Sequence, residues 1–156
     1  MGIVPTFSSG VISEQVVQFK ERLEGAMVFL LKYMGESLAR YARDHHSYTD
    51  RTGNLTNSIG YAVVRGKEIV YYGGSNQPGA GSEEALKTAM KMAATLTSQY
   101  SLIVVAGMNY AAYVEAKGYN VILPAELKAK TDFPAAMQKL KATAQAKANE
   151  LFGNVM

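Results

Sequence analysis

The chain has 156 residues, of which 48% are hydrophobic, so wholesale disorder is excluded and one domain with a sizeable core is expected. It contains no cysteine, which excludes a disulfide scaffold, a thiolate zinc site and a cysteine nucleophile. The formal net charge of +3 arises from basic and acidic residues mixed along the whole chain, which argues against a dedicated nucleic-acid-binding protein.

A long amphipathic helix is predicted at about residues 13–46. Apolar residues recur there every three or four positions, at Ile12, Val16, Phe19, Leu23, Met27, Leu30, Met34, Leu38 and Tyr41. This spacing matches the helical period. Such a helix is close to 50 Å long at about 1.5 Å per residue, which exceeds what a domain of this size needs. We therefore expect part of it to pack on something beyond its own sheet.

A tight corner is predicted directly after this helix. Its residues read Thr52-Gly53-Asn54-Leu55-Thr56-Asn57-Ser58-Ile59. Gly53 tolerates the positive φ that a residue with a Cβ disfavours, and Thr52 and Asn54 carry side-chain oxygens for nearby backbone N–H groups. Leu55 and Ile59 would share one face if the backbone coils there. The stretch predicts a corner with two core anchors.

Strands and an inserted helix are predicted next. Two strands at about 59–72 surround Arg65-Gly66-Lys67 as a hairpin, and the glycine-rich loop Gly73–Gly81 follows. That loop lacks the spacing of a phosphate-binding loop. Ser82 is expected to cap a helix at about 82–99, whose apolar stripe would be Leu86, Met90, Ala93, Leu96 and Tyr100.

The last third of the chain predicts two strands and two helices. Leu102–Ala106 is apolar without alternation, which predicts a buried strand at the centre of the sheet. A short helix at Tyr110–Lys117 would place Tyr110, Tyr113 and Val114 in one apolar patch, with Glu115 on another side. Tyr119–Leu123 predicts a strand ended by Pro124. A partly exposed final helix is expected at about 133–152, after Asp132.

The predicted fold class is α+β. One domain, residues 1–156, would contain a small, mainly antiparallel sheet packed by the long N-terminal helix and the C-terminal helix. We find no domain boundary, no repeat and no apolar run near the roughly 18 residues of a membrane span. The start also lacks a secretory signal pattern, so we expect no export by that route.

Two stretches carry a resemblance to a known family. They read TGNLTNSI at Thr52–Ile59 and YAAYVE at Tyr110–Glu115. The chain resembles the tail-component family of tailed bacteriophages in these two motifs, in their order and in the elements that flank them. It departs from that pattern at Ala116-Lys117-Gly118, where the family usually has an aromatic-Gly-Thr turn, and at residues 73–99, which look like an insertion.

The resemblance implies a structural virion protein of a phage or prophage, acting as head–tail connector or tail-completion (minor tail) component. Its partners would be other neck and tail proteins, with a ring homo-oligomer in the virion and a monomer when free. It would be assembled in the bacterial host cytoplasm and would reside at the neck of the virion. A ring would multiply the slight positive charge, which leaves transient contact with DNA in the pore open.

The candidate contact regions are the Gly73–Gly81 loop, the Tyr110–Glu115 segment with Tyr113 and Val114, and the residues before Ser13. Two other classes of function remain as alternatives: a small nucleic-acid-binding module, and a metal-dependent hydrolase using His45 and His46. Adjacent residues on a helix point about 100° apart, and no H-x-x-x-H or H-E-x-x-H spacing is present. We therefore expect no metal, no cofactor and no enzymatic activity.

Overall fold

The computed structural model describes residues 9–48, 54–74, 81–108 and 111–153, apart from the side chains at 9, 11, 12, 54 and 112–114. The elements in chain order are α1 (Ser9–Asp44), α2 (Asn54–Asn57), β1 (Ile59–Arg65), β2 (Glu68–Gly73), α3 (Ser82–Ala93), β3 (Tyr100–Ala106), α4 (Ala111–Ala116) and α5 (Leu123–Phe152).

The fold is α+β, with a long N-terminal helix and a C-terminal helix beside a small antiparallel sheet, so the predicted fold class is confirmed. In the described residues the sheet has three strands in the order β2-β1-β3. Tyr61 of β1 stands opposite Gly73 on one side and Val104 on the other. The predicted hairpin is therefore present, with Gly66 at a positive φ of 64° in its turn.

Both faces of the central strand β1 are covered by helices. Side chains alternate across β1, so Ile59, Tyr61 and Val63 lie on the face that packs against α1 and α5. Ala62 and Val64 lie on the opposite face, against α3. From Ile59 to Val64 every residue of β1 is buried, because each face has its own cover.

The prediction that Leu102–Ala106 lies at the centre of the sheet is wrong. Leu102–Ala106 lies within β3, which pairs only with β1 among the described strands and therefore forms an edge of the sheet. Its unbroken apolar character has a different cause, namely that both of its faces are covered. Ile103 and Val105 belong to the α3 side, and Val104 packs on the α1 side.

The C-terminal helix begins ten residues earlier than predicted, and the strand predicted at Tyr119–Leu123 is absent. Leu123 is the first residue of α5, and Pro124 stands in its first turn, where a missing N–H costs nothing. Asp132 is inside the helix and accepts a hydrogen bond from Lys128, one turn earlier. Pro134 also lies inside α5.

Helix α3 is shorter than predicted and buries a different stripe. It ends at Ala93, and its N-cap is Gly81, at φ 99°, with no side-chain capping hydrogen bond from Ser82. The buried positions are Ala85, Ala89 and Ala93. Leu86 and Met90, which were expected to face the core, are exposed. Small side chains let this helix approach the sheet closely.

Candidate assembly site where the two motifs meet

The described parts of the two stretches singled out in the sequence lie side by side in the structure. Leu55 of α2 and Ala111 of α4 belong to one buried cluster with Tyr48 and Val121. These four residues come from four separate segments of the chain: the end of α1, the corner, α4 and the entry to α5. The cluster therefore joins the two motifs into one structural unit, which we call the joint.

Ser58 is the polar centre of the joint. It is 1% exposed, and its hydroxyl donates to the Leu55 carbonyl oxygen at 2.7 Å. The Ser58 hydroxyl oxygen in turn accepts a hydrogen bond from the backbone N–H of Gly107 at 3.0 Å. Ser58 thus connects the corner that opens β1 with the residue that ends β3, and both hydrogen bonds are shielded from water.

Two glycines let the chain segments approach each other around Ser58. A Cβ on Gly107 would stand 1.8 Å from the Gly81 carbonyl oxygen, and a Cβ on Gly81 would stand 3.0 Å from the Cβ of Ser58. Gly81 also has a positive φ of 99°. The start of α3 and the end of β3 therefore meet at a point where no side chain fits.

Glu115 holds the start of α5. Its carboxylate accepts from the backbone N–H of Val121 at 2.5 Å and from that of Leu123 at 2.8 Å. Leu123 is the first residue of α5, where backbone N–H groups lack helical partners and the helix dipole favours a negative charge. Glu115 therefore acts as a capping residue supplied by α4.

A second link runs from α1 to the same region. Arg43 donates from Nη2 to the Ile59 carbonyl oxygen at 2.8 Å, at the first residue of β1. The Ser47 hydroxyl oxygen accepts from the backbone N–H of Asn120 at 2.9 Å. Burial raises the pKa of the nearby Tyr72 hydroxyl, and the positive charge of Arg43 partly opposes that shift. The segment from Arg43 to Ser47 is thus bound to the start of β1 and to the loop that precedes α5.

Beside the joint lies a cavity of about 270 Å³ against the edge of β3. It is lined by Thr88 and Met92 of α3, by Ile103 to Ala106 of β3, and by Ala111, Glu115, Val121 and Ile122. Four successive strand residues line it although their side chains alternate between the two faces. The cavity therefore reaches the backbone edge of β3, where alternate N–H and C=O groups point away from β1.

The structure places the sequence motif residues as follows. Leu55, Ser58 and Ile59 are buried, and they are the described anchors of the corner. Thr52, Gly53 and Tyr110 lie outside the described residues, as do most of the Gly73–Gly81 loop, residues 1–8 and the side chains of Asn54, Tyr113 and Val114. Glu115 is bonded within the chain, and its predicted contact with a neighbouring subunit stays a prediction.

Sequence reasoning missed Tyr48, Val121, Gly81 and Gly107. Nothing in the sequence pairs these residues, because each acts through a neighbour that is distant along the chain. The only available signal was local: Gly107 directly follows an apolar strand pattern, and isolated glycines at such positions often mark close backbone approach.

The two histidines point to different partners. His45 Nδ1 is 2.9 Å from the Tyr41 carbonyl oxygen, and its ring stacks on that tyrosine at 3.8 Å. His46 Nδ1 is 3.0 Å from the Tyr48 carbonyl oxygen, and its ring stacks on Tyr48. Within the described ranges, no three His, Asp or Glu side chains lie close enough together to hold a metal ion.

Of the helices in the described part of the chain, none combines the length and apolar character needed to cross a membrane. Comparisons of the chain with protein-family models, with curated proteins and with solved structures find no match.

Proposed function

We propose that this chain is a structural virion protein of a tailed bacteriophage or prophage, acting at the neck as a head–tail connector or tail-completion component. The proposal starts from the resemblance of Thr52–Ile59 and Tyr110–Glu115 to the tail-component family. The observation that supports it is the joint. Two stretches about fifty residues apart in the sequence contribute Leu55 and Ala111 to one buried cluster.

The joint gives these stretches a mechanical role. Ser58 fixes the end of β3 to the corner, and Glu115 fixes the start of α5. Together they set the directions in which the sheet and α5 leave the region. A subunit that transmits force between a head and a tail needs such a rigid junction, since its outer surfaces must keep their relative orientation under load.

The contact with a neighbouring subunit is assigned to the edge of β3 and the adjoining cavity. β3 is seven residues long and contains neither a charged residue nor proline, the features that usually protect an edge strand from pairing. An extended segment of a neighbour can add to this edge through backbone hydrogen bonds, with side chains entering the cavity beside Met92. Repeated in one direction, such heterologous contacts close into a ring when the rotation between successive subunits divides a full turn.

Genetic deletion with electron microscopy tests the assignment to the neck. Removing the gene from the phage or prophage that encodes it should leave filled heads and separate tails, and supplying the wild-type chain should restore joined particles. Joined, infectious particles that lack this chain would contradict the proposal.

Two variants of α3 test the contact surface in the same complementation assay. Met92 lines the cavity, whereas Met90 is 57% exposed on the opposite flank of the helix. Met92→Arg should fail to restore joined particles and Met90→Arg should restore them, with both purified variants folded by circular dichroism. If the two variants restored joined particles to the same extent, the contact with the neighbouring subunit would not lie at the β3 edge.

A further inference from the structure

Helices α1 and α5 continue past the end of the sheet. Arg65, the last residue of β1, pairs with Glu24 of α1 at 3.4 Å, which marks where the sheet stops along this helix. Beyond that point α1 and α5 still contact each other, since the rings of Phe19 and Phe152 meet edge to face at 5.7 Å between centroids. The two helices thus form an arm that extends past the sheet, with Gln99 and Tyr100 at the sheet end of the arm.

An open groove of about 600 Å³ runs between the two helices on this arm. Its floor is apolar, with Phe19, Leu23 and Met27 from α1 and Met137, Leu140 and Ala144 from α5. Met27 and Met137 also pack against the core cluster that contains Leu31 and Leu38. The groove is therefore the uncovered continuation of the core-facing stripe.

Exposed valines lengthen the apolar floor by one turn. Val16 and Val17 are 48% and 54% exposed; Val16 precedes Phe19 of the floor by three residues, and Val17 precedes Lys20 of the rim by three. Residues at this spacing share one helix face. From Val16 to Met27 the α1 wall is about 17 Å long, and the α5 wall from Met137 to Ala148 has the same length at about 1.5 Å per residue.

The charges at the rim of the groove are predominantly positive. Lys20 and Lys141 line it, and within the described ranges neither takes part in an ion pair. The acidic group at the rim, Glu24, is neutralised by Arg65. From Phe133 to Asn149, α5 carries three lysines and no acidic residue, and one of these lysines, Lys147, pairs with Glu150 in the next turn. An occupant with negative flanks would complement this rim.

We propose that the groove binds an amphipathic α-helix of a partner protein whose apolar stripe is flanked by glutamate or aspartate. The walls are helices, whose backbone groups are already paired, so an extended strand would leave its own N–H and C=O groups without partners. A helix satisfies its backbone internally. It also completes a three-helix arrangement in which the floor residues become buried.

This binding site needs no assumption about the phage neck. The β3 edge and its cavity, assigned above to a neighbouring subunit, are lined by α3, β3 and α4, whereas the groove is lined chiefly by α1 and α5. A failure at either surface can therefore be distinguished from a failure at the other.

Binding of labelled model peptides tests the proposal with the full chain. The probe is a fluorescein-labelled amphipathic peptide of about 18 residues, five helical turns, with a leucine stripe and glutamate flanks. Its counterpart has lysine flanks, and a third peptide has the acidic composition in scrambled order. Fluorescence anisotropy in roughly 0.1 M salt should show the acidic amphipathic peptide binding at least about tenfold more tightly than either control.

Two sets of variants locate the site. Ala144 lines the groove, whereas Ala146 is exposed elsewhere on α5, so Ala144→Phe should abolish binding and Ala146→Phe should preserve it. The double variant Lys20→Glu/Lys141→Glu should reverse the preference and bind the lysine-flanked peptide. Circular dichroism and thermal unfolding of each variant establish that the helices are intact.

Several outcomes would overturn the proposal. The first is equal affinity for the acidic and the lysine-flanked peptide, and the second is no binding of either peptide. The third is an equal loss of affinity in Ala144→Phe and Ala146→Phe. A wild-type dimer that Ala144→Phe converts into a monomer would assign the groove to a second copy. Displacement of the peptide by laurate, with direct laurate binding that Ala144→Phe removes, would assign it to an apolar acid.

Discussion

The ring of Tyr61 occupies the space that a side chain on Gly35 would need. A Cβ on Gly35 would stand 2.2 Å from Cδ2 of Tyr61, and a Cβ on Gly73 would stand 2.4 Å from Cε1 of the same ring. Tyr61 is 2% exposed in consequence. The Tyr61 ring therefore fits between helix α1 and strand β2 only because Gly35 and Gly73 have no side chains there.

Replacing Gly35 by alanine should destabilise the protein although alanine favours helices. The overlap with Tyr61 forces a shift in a well-packed core, which costs about 1–3 kcal/mol, and the gain in helix propensity offsets at most about 1 kcal/mol. Urea unfolding followed by circular dichroism should show a lower midpoint for Gly35→Ala. Replacing Tyr61 by leucine in the same chain should remove most of the difference.

Gly25 provides the matched control on the same helix. A Cβ at Gly25 meets nothing within 4 Å, so Gly25→Ala should stabilise the protein by up to about 1 kcal/mol. If Gly35→Ala raised the unfolding midpoint as Gly25→Ala does, the close approach of α1 to Tyr61 would be wrong.

Alkaline pH should weaken the fold through Tyr61. Burial raises the pKa of its hydroxyl well above the ordinary value near 10, and neighbouring Tyr71 raises it further. Because the pKa of Tyr61 is higher in the folded state than in the unfolded chain, the stabilisation that depends on its protonated hydroxyl is fully present below about pH 10. It is lost as the pH rises beyond that value. Urea unfolding between about pH 8 and 11 should show falling stability, with a shallower fall for Tyr61→Phe.

The control for this experiment is Tyr119→Phe, because the Tyr119 side chain is 49% exposed. Its stability should follow the wild-type pH dependence. Equal slopes for Tyr61→Phe and the wild-type protein would mean that another group governs the alkaline loss.

Periodicity predicted α1 and the hairpin because their apolar residues follow the helical and strand periods over several repeats. The same reasoning misplaced the stripe of α3, since it gave Met90 more weight than Ala89. Which face is buried there depends on how closely the helix approaches the sheet, and alanine permits the closer approach. The start of α5 was missed because Pro124 was interpreted as a strand terminator.

Part of the candidate assembly site could be predicted from the sequence. The anchors Leu55 and Ile59 could be predicted from their spacing and apolar character, and both are buried. The partner of Ser58 is Gly107, 49 residues away, and Glu115 bonds amides six and eight residues along the chain. Hydrogen bonds of this kind depend on tertiary geometry, which a local pattern does not encode.

Removing the Ser58 hydroxyl should cost stability out of proportion to its size. Ser58→Ala leaves the Gly107 N–H without a partner in a buried place, which costs about 1–3 kcal/mol. Thermal and urea unfolding measure the loss, and Ser13→Ala, at an exposed position of α1, should change stability by less than about 0.5 kcal/mol. A change of similar size in both variants would contradict the role of Ser58 in the joint.

Removing the Glu115 carboxylate should loosen the first turn of α5. Glu115→Ala eliminates two hydrogen bonds from a charged acceptor, so the Val121 and Leu123 amides should exchange with solvent faster. Hydrogen exchange followed by NMR measures both amides. The control is Glu150→Ala, which removes only an exposed pair with Lys147 at the other end of α5, worth at most about 0.5 kcal/mol. Unchanged protection of Leu123 in Glu115→Ala would show that the cap is unimportant.

Enlarging the alanine face of α3 should separate it from the sheet. Ala89 is fully buried against β1 and β3, so Ala89→Leu must displace the helix or its neighbours, at a cost of about 1–3 kcal/mol or more. Met90→Leu is the matched control, because Met90 is 57% exposed and its replacement should leave stability within about 0.5 kcal/mol. Urea unfolding compares the two variants. The stripe first predicted from the sequence places Ala89 in solvent, so Ala89→Leu would then unfold at the same midpoint as Met90→Leu. The midpoint of Ala89→Leu therefore decides which face of α3 contacts the sheet.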